Sequence, residues 1–154
     1  MRRLALVVVV LVIAGALVVG LKPMTPARTR DDYRHKAKDT AQSVLSAVET
    51  ARLTARIGSD GDAFGPYVSV LLSESETAAT RAQDSFDRVQ PPDSVSDATR
   101  ARLGRLLDRS NDVLSSLRIS ARRGELDRLE HQAAPLQPLA AQLNRFITQM
   151  ERTE

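Results

Sequence analysis

The side chains that could carry chemistry in this chain are few, and their spacing does not suit catalysis. The two histidines are His35 and His131, and neither follows a glutamate at the Glu-x-x-His spacing that dimetal helical bundles use. His35 and Asp39 lie one helical turn apart and could share one weakly held cation, but a solvated surface pair is the simpler interpretation. We therefore predict no metal site and no cofactor.

Nucleophilic and acid–base catalysis have no better support. The sequence has no cysteine and no Gly-x-Ser-x-Gly motif. Asp84 with Asp87 and Asp108 with Asp112 share a helical face, yet the arginines beside them indicate ordinary surface ion pairs. Residues 59–62, Ser-Asp-Gly-Asp, lack the regular ligand spacing of a calcium loop and are interpreted as a turn. The sequence therefore predicts no catalytic residue, and we expect that the protein is not an enzyme.

One basic cluster, formed by Arg118, Arg122 and Arg123, is a candidate binding site. Arg118 and Arg122 lie one turn apart near the predicted end of a helix, where cations also complement the helix macrodipole. The functional alternative is contact with an anionic surface, either lipid head groups or an acidic wall polymer. The sequence leaves both interpretations open.

The charge balance argues against nucleic acid as a partner. Without Arg2 and Arg3 the chain holds 20 basic and 19 acidic residues, so it has no overall positive field for a phosphate backbone. Three phenylalanines, two tyrosines and no tryptophan leave little for a surface on which bases could stack.

The start of the chain predicts a membrane segment. After a basic start at residues 1–3, the 18 residues Leu4–Leu21 carry no charge. A helix of that length spans roughly 27 Å, close to the thickness of the hydrocarbon core. We interpret residues 1–3 as an n-region and 4–21 as an uncleaved transmembrane signal-anchor. The alternative is a signal peptide cleaved after Ala16 or Ala27, which would give a secreted protein.

Two features of the flanks bear on orientation, and they disagree. Basic residues are more numerous after the span, from Lys22 to Lys38, than before it, which favours a C-terminal part inside. Large domains translocate largely regardless of charge, and a basic opening before an apolar run is typical of export. We predict a single-pass protein of the cell membrane with its C-terminal domain outside. Ala16 and Gly20 would let two spans approach closely, so a homo-oligomer is compatible, although a plain anchor is simpler.

Downstream of the span, the sequence predicts a linker at 22–30 and one all-helical domain at 31–154. Pro23 and Pro26 discourage continuation of the membrane helix. The remainder shows apolar residues at the period of a helix and no alternation typical of a strand. The predicted helices run from Thr29–Asp32 to Gly58–Gly61, from Asp62–Pro66 to Pro91–Pro92, from Asp93 or Ser94 to Gly124, and from Glu125 to Met150.

Each predicted helix carries one apolar stripe, and Pro135 with Pro138 should break the last helix near Ala134. Four amphipathic helices with short connections predict an antiparallel four-helix bundle with coiled-coil-like packing. The residues expected in its core are Ala37, Ala41, Val44, Val48, Ala51, Ala55; Val68, Leu71, Leu72, Ala79, Ala82, Phe86, Val89; Leu103, Leu106, Leu107, Val113, Leu114, Leu117, Ala121; and Leu129, Leu136, Leu139, Leu143, Phe146, Met150.

Three short segments carry a resemblance to a known group of proteins. They are Phe64-Gly65-Pro66-Tyr67, the stretch Phe86–Asp93 with its Pro-Pro pair, and the stretch Leu117–Gly124 before a leucine-rich last helix. Over roughly residues 47–146 the chain resembles uncharacterised single-span helical surface or secreted proteins of actinobacteria. The resemblance implies a helical architecture and an envelope location. That group has no assigned activity, so it implies no functional residue.

Two functions remain from the sequence. The first is a non-enzymatic, membrane-anchored, extracytoplasmic helical bundle that acts through contacts with a protein partner or with the cell envelope. The alternative is a small-ligand-binding or sensor ectodomain that works through a membrane partner. Its pocket would lie in the bundle core, lined by Leu136, Leu139 and the apolar residues facing them, where Pro135 and Pro138 loosen the last helix.

Overall fold

A computed structural model of the protein describes residues 29–152. Three long helices, α1 (Arg30–Ser59), α2 (Gly65–Asp87) and α3 (Ser94–Arg122), are followed by a 3₁₀ turn at Leu126–Arg128. The short α4 (Leu129–Ala133) and α5 (Leu136–Glu151) together form a fourth helical column. No strand occurs in this range. The predicted all-α class with four helices is confirmed.

Contacts between side chains far apart in sequence show that successive columns run antiparallel. Lys36, near the start of α1, donates to the Ser85 hydroxyl near the end of α2 at 2.7 Å. Ser59, the last residue of α1, donates to the Leu126 carbonyl at 2.9 Å, just before α4. Helix α1 packs against every other helix, whereas α2 and α5 lie diagonally across the bundle. The result is a helical bundle.

The two ends of the bundle differ in what they hold. The Arg30 end contains the starts of α1 and α3, where Arg30 Nε lies 2.7 Å from Asp93 Oδ2. The Gly124 end contains the end of α3, the start of α2 and the 3₁₀ turn. Since α1 has 30 residues, the two ends lie about 45 Å apart.

Local sequence signals set the helix ends. The Thr29 hydroxyl accepts a hydrogen bond from the Asp32 backbone N–H at 3.1 Å and so caps α1, and the Asp93 carboxylate caps α3 in the same way. Both α1 and α3 end at a glycine with positive φ, +77° at Gly61 and +75° at Gly124. In each case the next residue's N–H bonds back to a carbonyl in the last turn, which is the Schellman arrangement.

The predicted apolar stripes form one continuous core. Every stripe residue is buried or half-buried, and the α1 stripe starts one turn earlier than predicted, at Tyr33. Tyr33 is 1% exposed, and its ring lies 5.5 Å from the ring of Phe86. The bundle therefore has the amphipathic organisation that the sequence predicts.

The fourth column breaks where the two prolines predict. Ala134 and Pro135 separate α4 from α5. Pro138 falls in the first turn of α5, where a backbone N–H would have no partner within the helix, so it can be accommodated without loss of a hydrogen bond. The predicted interruption near Ala134 is confirmed.

The membrane prediction concerns a different part of the chain. No helix within residues 29–152 is both long and apolar enough to cross a bilayer. The predicted span at 4–21 and nearly all of the predicted linker at 22–30 lie outside the described residues. Helix α1 begins at Arg30, the last residue assigned to that linker.

Candidate functional site

The structure divides the basic cluster that the sequence singles out. Arg118 Nε donates to Glu76 Oε2, and this ion pair joins α3 to α2 with side chains only 23% and 21% exposed. Arg122 and Arg123 are exposed at the end of α3. Arg118 therefore belongs to the packing between helices, whereas Arg122 and Arg123 form an exposed pair at the Gly124 end.

Two of the four carboxylates considered for catalysis, Asp87 and Asp108, have polar partners in the structure. Asp108 accepts a hydrogen bond from Gln83 Nε2 at 2.7 Å, and Asp87 lies 3.9 Å from Arg100. His35, Asp39 and His131 are all exposed. Between residues 29 and 152, no three histidine or acidic side chains come together as ligands for a metal ion.

Two groups near the Arg30 end titrate away from their usual range. Burial raises the pKa of Tyr33 to about 12, and its hydroxyl has no hydrogen-bond partner among the described residues. The pKa of Asp93 is lowered, first by the hydrogen bond from the Ser96 backbone N–H and then by Arg30. Both groups sit at helix packing or capping positions, so their shifts reflect the fold.

A groove lined by several arginines lies between α3 and α5. We call it the arginine groove, and it consists of two adjoining sections of about 310 and 470 Å³ that share Arg102 and Arg145. None of the described acidic side chains lines either section. Its basic residues are Arg102, Arg105 and Arg109 from α3 and Arg145 and Arg152 from α5.

Helical spacing brings these five arginines together. Arg102, Arg105 and Arg109 lie at i, i+3 and i+7 along α3, and Arg145 and Arg152 lie at i and i+7 along α5, so each set shares a face. The guanidinium of Arg102 lies 5.5 Å from the centroid of the buried Phe146 ring, a cation–π distance that links the two helices. The groove is therefore built on two packed helices.

Four of these arginines have no countercharge. Arg105, Arg109, Arg145 and Arg152 are exposed and form no ion pair with any residue in the described range. Asp112 lies beside Arg109 in the neighbouring groove but does not bond to it. Unpaired guanidinium groups in a concave setting attract oxyanions, for which Arg offers a fork of N–H donors.

Another groove and one exposed aromatic side chain carry less specific chemistry. The groove, of about 550 Å³, lies between α1 and the fourth column and combines the 63% exposed Leu53 with Glu49, Arg52 and Arg56. Arg52 and Glu49 pair with each other within it at 3.0 Å. At the Gly124 end, Phe64 is exposed to 77%.

A groove beside the two prolines lies close to the part of the core where the small-ligand alternative predicts its pocket. It measures about 350 Å³ and opens on the surface between α3 and α5, with Pro135, Pro138 and Leu139 in its lining. Leu136 is fully buried and does not line it. A ligand here would lie on the surface of the bundle.

Comparison of the chain with protein-family models, with curated proteins and with solved structures finds no match.

Proposed function

We propose that this protein is a non-enzymatic helical bundle, held in the cell membrane by residues 4–21, that acts outside the membrane through contacts with a protein partner or the cell envelope. The observation that carries the proposal is the uncharged run Leu4–Leu21 placed ahead of a bundle whose chemistry is on its surface. The resemblance to single-span helical proteins of actinobacteria supports the same location.

The surface of the bundle supports action by contact. Some ion pairs, such as Arg118 with Glu76, join neighbouring helices, and four unpaired arginines line an open groove. Exposed apolar side chains at the Gly124 end of the bundle, among them Phe64 and Tyr67, add surface on which a protein partner could pack. These features suit binding of extended partners better than enclosure of a small substrate.

The experiment that tests the proposal measures topology and processing together. A C-terminal tag is added, intact cells are digested with a protease that cannot enter, and the mass of the tagged product is measured. We expect the tag to be lost from intact cells and the undigested product to have the full-length mass. A cytosolic protein serves as the control for cell integrity.

A matched variant tests whether residues 4–21 are the anchor. Val9→Asp with Ile13→Asp places two charges in the span, each at a cost of about 2.5–3.5 kcal/mol, so the protein should leave the membrane fraction. In the protease experiment, a tag that stays protected would contradict the outward orientation. A tagged product whose mass shows cleavage after Ala16 or Ala27 would indicate a secreted protein and contradict the anchor.

A further inference from the structure

The charges of this protein are segregated although they nearly balance. Outside residues 1–3 the basic and acidic residues differ by a single charge. Five arginines nevertheless line the arginine groove, and no described carboxylate lies in it. In a near-neutral molecule, a groove lined by unpaired positive charges attracts anions to itself more than the rest of the surface does.

The five arginines form a row along the groove. Because α3 and α5 run antiparallel with Arg102 beside Phe146 and Gln149, Arg152 lies beyond Arg102 at one end and Arg109 lies at the other. The rise per helical residue makes this row about 15 Å long, parallel to the bundle axis. Arginines occur along the row from both walls, which is the geometry that a chain of repeated negative charges would match.

We propose that the arginine groove binds a linear polyanion with repeating phosphate groups, of the kind that a phosphodiester-linked envelope polymer presents. Guanidinium forks match phosphate oxygens in pairs, and several along one groove hold successive groups of the same chain. The inference rests on the proposed function only for the source of the polymer, because binding itself does not depend on topology.

Nucleic acid and a flat membrane fit the groove less well. Single-stranded nucleic acid is usually held by aromatic side chains on which bases stack, and the aromatic ring at this groove, Phe146, is fully buried beneath Arg102. A bilayer presents a flat array of head groups, whereas these arginines line a groove with a wall on each side. A flexible chain can enter such a groove.

The test uses the full-length protein in neutral-detergent micelles and labelled linear polyphosphate, titrated at several salt concentrations. Five contacting arginines should give a slope of log K against log salt of about −3.5. Arg105→Gln with Arg145→Gln should weaken binding about tenfold or more and reduce that slope by about 1.4. Arg102 is left intact because it covers Phe146.

The matched control is Arg81→Gln with Arg88→Gln, which removes the same charge from two exposed positions in and just after α2, the helix diagonally across the bundle from α5. Its affinity for polyphosphate should stay within about twofold of the unmodified protein, apart from a small effect of overall charge. Circular dichroism and thermal melting of both double variants should match the unmodified protein, since all four side chains are exposed.

Four results would overturn the proposal. The first is no binding of polyphosphate. The second is an equal loss of affinity in the groove variant and in the control. The third is tighter binding to anionic vesicles than to polyphosphate. The fourth is tighter binding to single-stranded DNA of equal charge number. Since purified protein is used, each result stands apart from the outcome of the topology experiment.

Discussion

Tyr33 lies in the core of the bundle, and its buried hydroxyl group forms no hydrogen bond with any described residue. Its ring packs on Phe86, and the apolar environment raises the pKa of the phenol to about 12. A buried polar group without a partner costs about 1–3 kcal/mol, while the ring itself contributes apolar contact. The ring and the hydroxyl of Tyr33 therefore act on stability in opposite directions.

Tyr33→Phe should stabilise the protein at neutral pH by about 1 kcal/mol, because it keeps the ring and removes the unpaired hydroxyl. The measurement is chemical unfolding followed by circular dichroism. Tyr67→Phe is the control, since Tyr67 is 56% exposed and its removal should leave stability nearly unchanged. A loss of stability in Tyr33→Phe would show that the hydroxyl has a partner.

Tyr33 should also lower the stability of the protein at alkaline pH. Because its pKa is about 12 in the folded state and about 10 in the unfolded state, the free energy of unfolding is unaffected below about pH 10 and falls as the pH rises toward 12. The Tm of the unmodified protein should therefore fall more steeply across this window than that of Tyr33→Phe. In the Tyr67→Phe background, tyrosinate absorbance reports Tyr33 alone, since the chain has two tyrosines.

At the scale of elements, a glycine inside α3 and a glycine just after it have opposite effects on stability. Gly104 lies inside the helix, whereas Gly124 adopts φ of +75° just after it, and an added Cβ at either position meets no atom within 4 Å. Any change on substitution by alanine therefore comes from the backbone and not from a clash. This pair separates helix propensity from capping geometry.

Gly104→Ala should stabilise the protein by about 0.5–1 kcal/mol, because alanine loses less conformational freedom in a helix. Gly124→Ala should destabilise it by about 1–2 kcal/mol, because alanine is strained at positive φ. Thermal unfolding of the two variants side by side is the measurement. Unchanged or increased stability in Gly124→Ala would contradict the Schellman arrangement at the end of α3, and a loss of stability in Gly104→Ala would contradict the helix-propensity argument.

The helices also show which parts of the structure could be predicted from the sequence. The stripe in each helix, the ends at Gly61 and Gly124 and the break at Ala134 follow from neighbours in sequence, so local patterns predict them. The arginine groove depends on which faces of α3 and α5 meet, and that is decided by packing. The spacing of Arg102, Arg105 and Arg109 was its sequence signal, but alone it resembles a solvated face.

At the scale of the whole molecule, one core joins the four columns. Helix α1 packs against all the others, and buried residues of α5, such as Leu143 and Phe146, belong to the same cluster as Tyr33 and Phe86. A break in the fourth column therefore does not divide the core. We expect α1 to α5 to unfold in one cooperative transition.

Leu143→Ala tests this cooperativity. Leu143 is fully buried, so its truncation should lower the free energy of unfolding by about 2–5 kcal/mol, a large part of the roughly 5–15 kcal/mol typical of a domain. Leu53→Ala makes the same chemical change at a 63% exposed position, where we expect about 0.5 kcal/mol or less.

The readout for Leu143→Ala compares two signals along the same denaturant titration. Circular dichroism reports all the helices, whereas tyrosine fluorescence reports α1 and α2 alone, because the chain has no tryptophan and its tyrosines are Tyr33 and Tyr67. If the core is shared, both transitions shift together and remain coincident. Loss of helical signal ahead of the tyrosine signal would mean that α5 unfolds separately. In that case the wall that carries Arg145 and Arg152 would be the less stable side of the arginine groove.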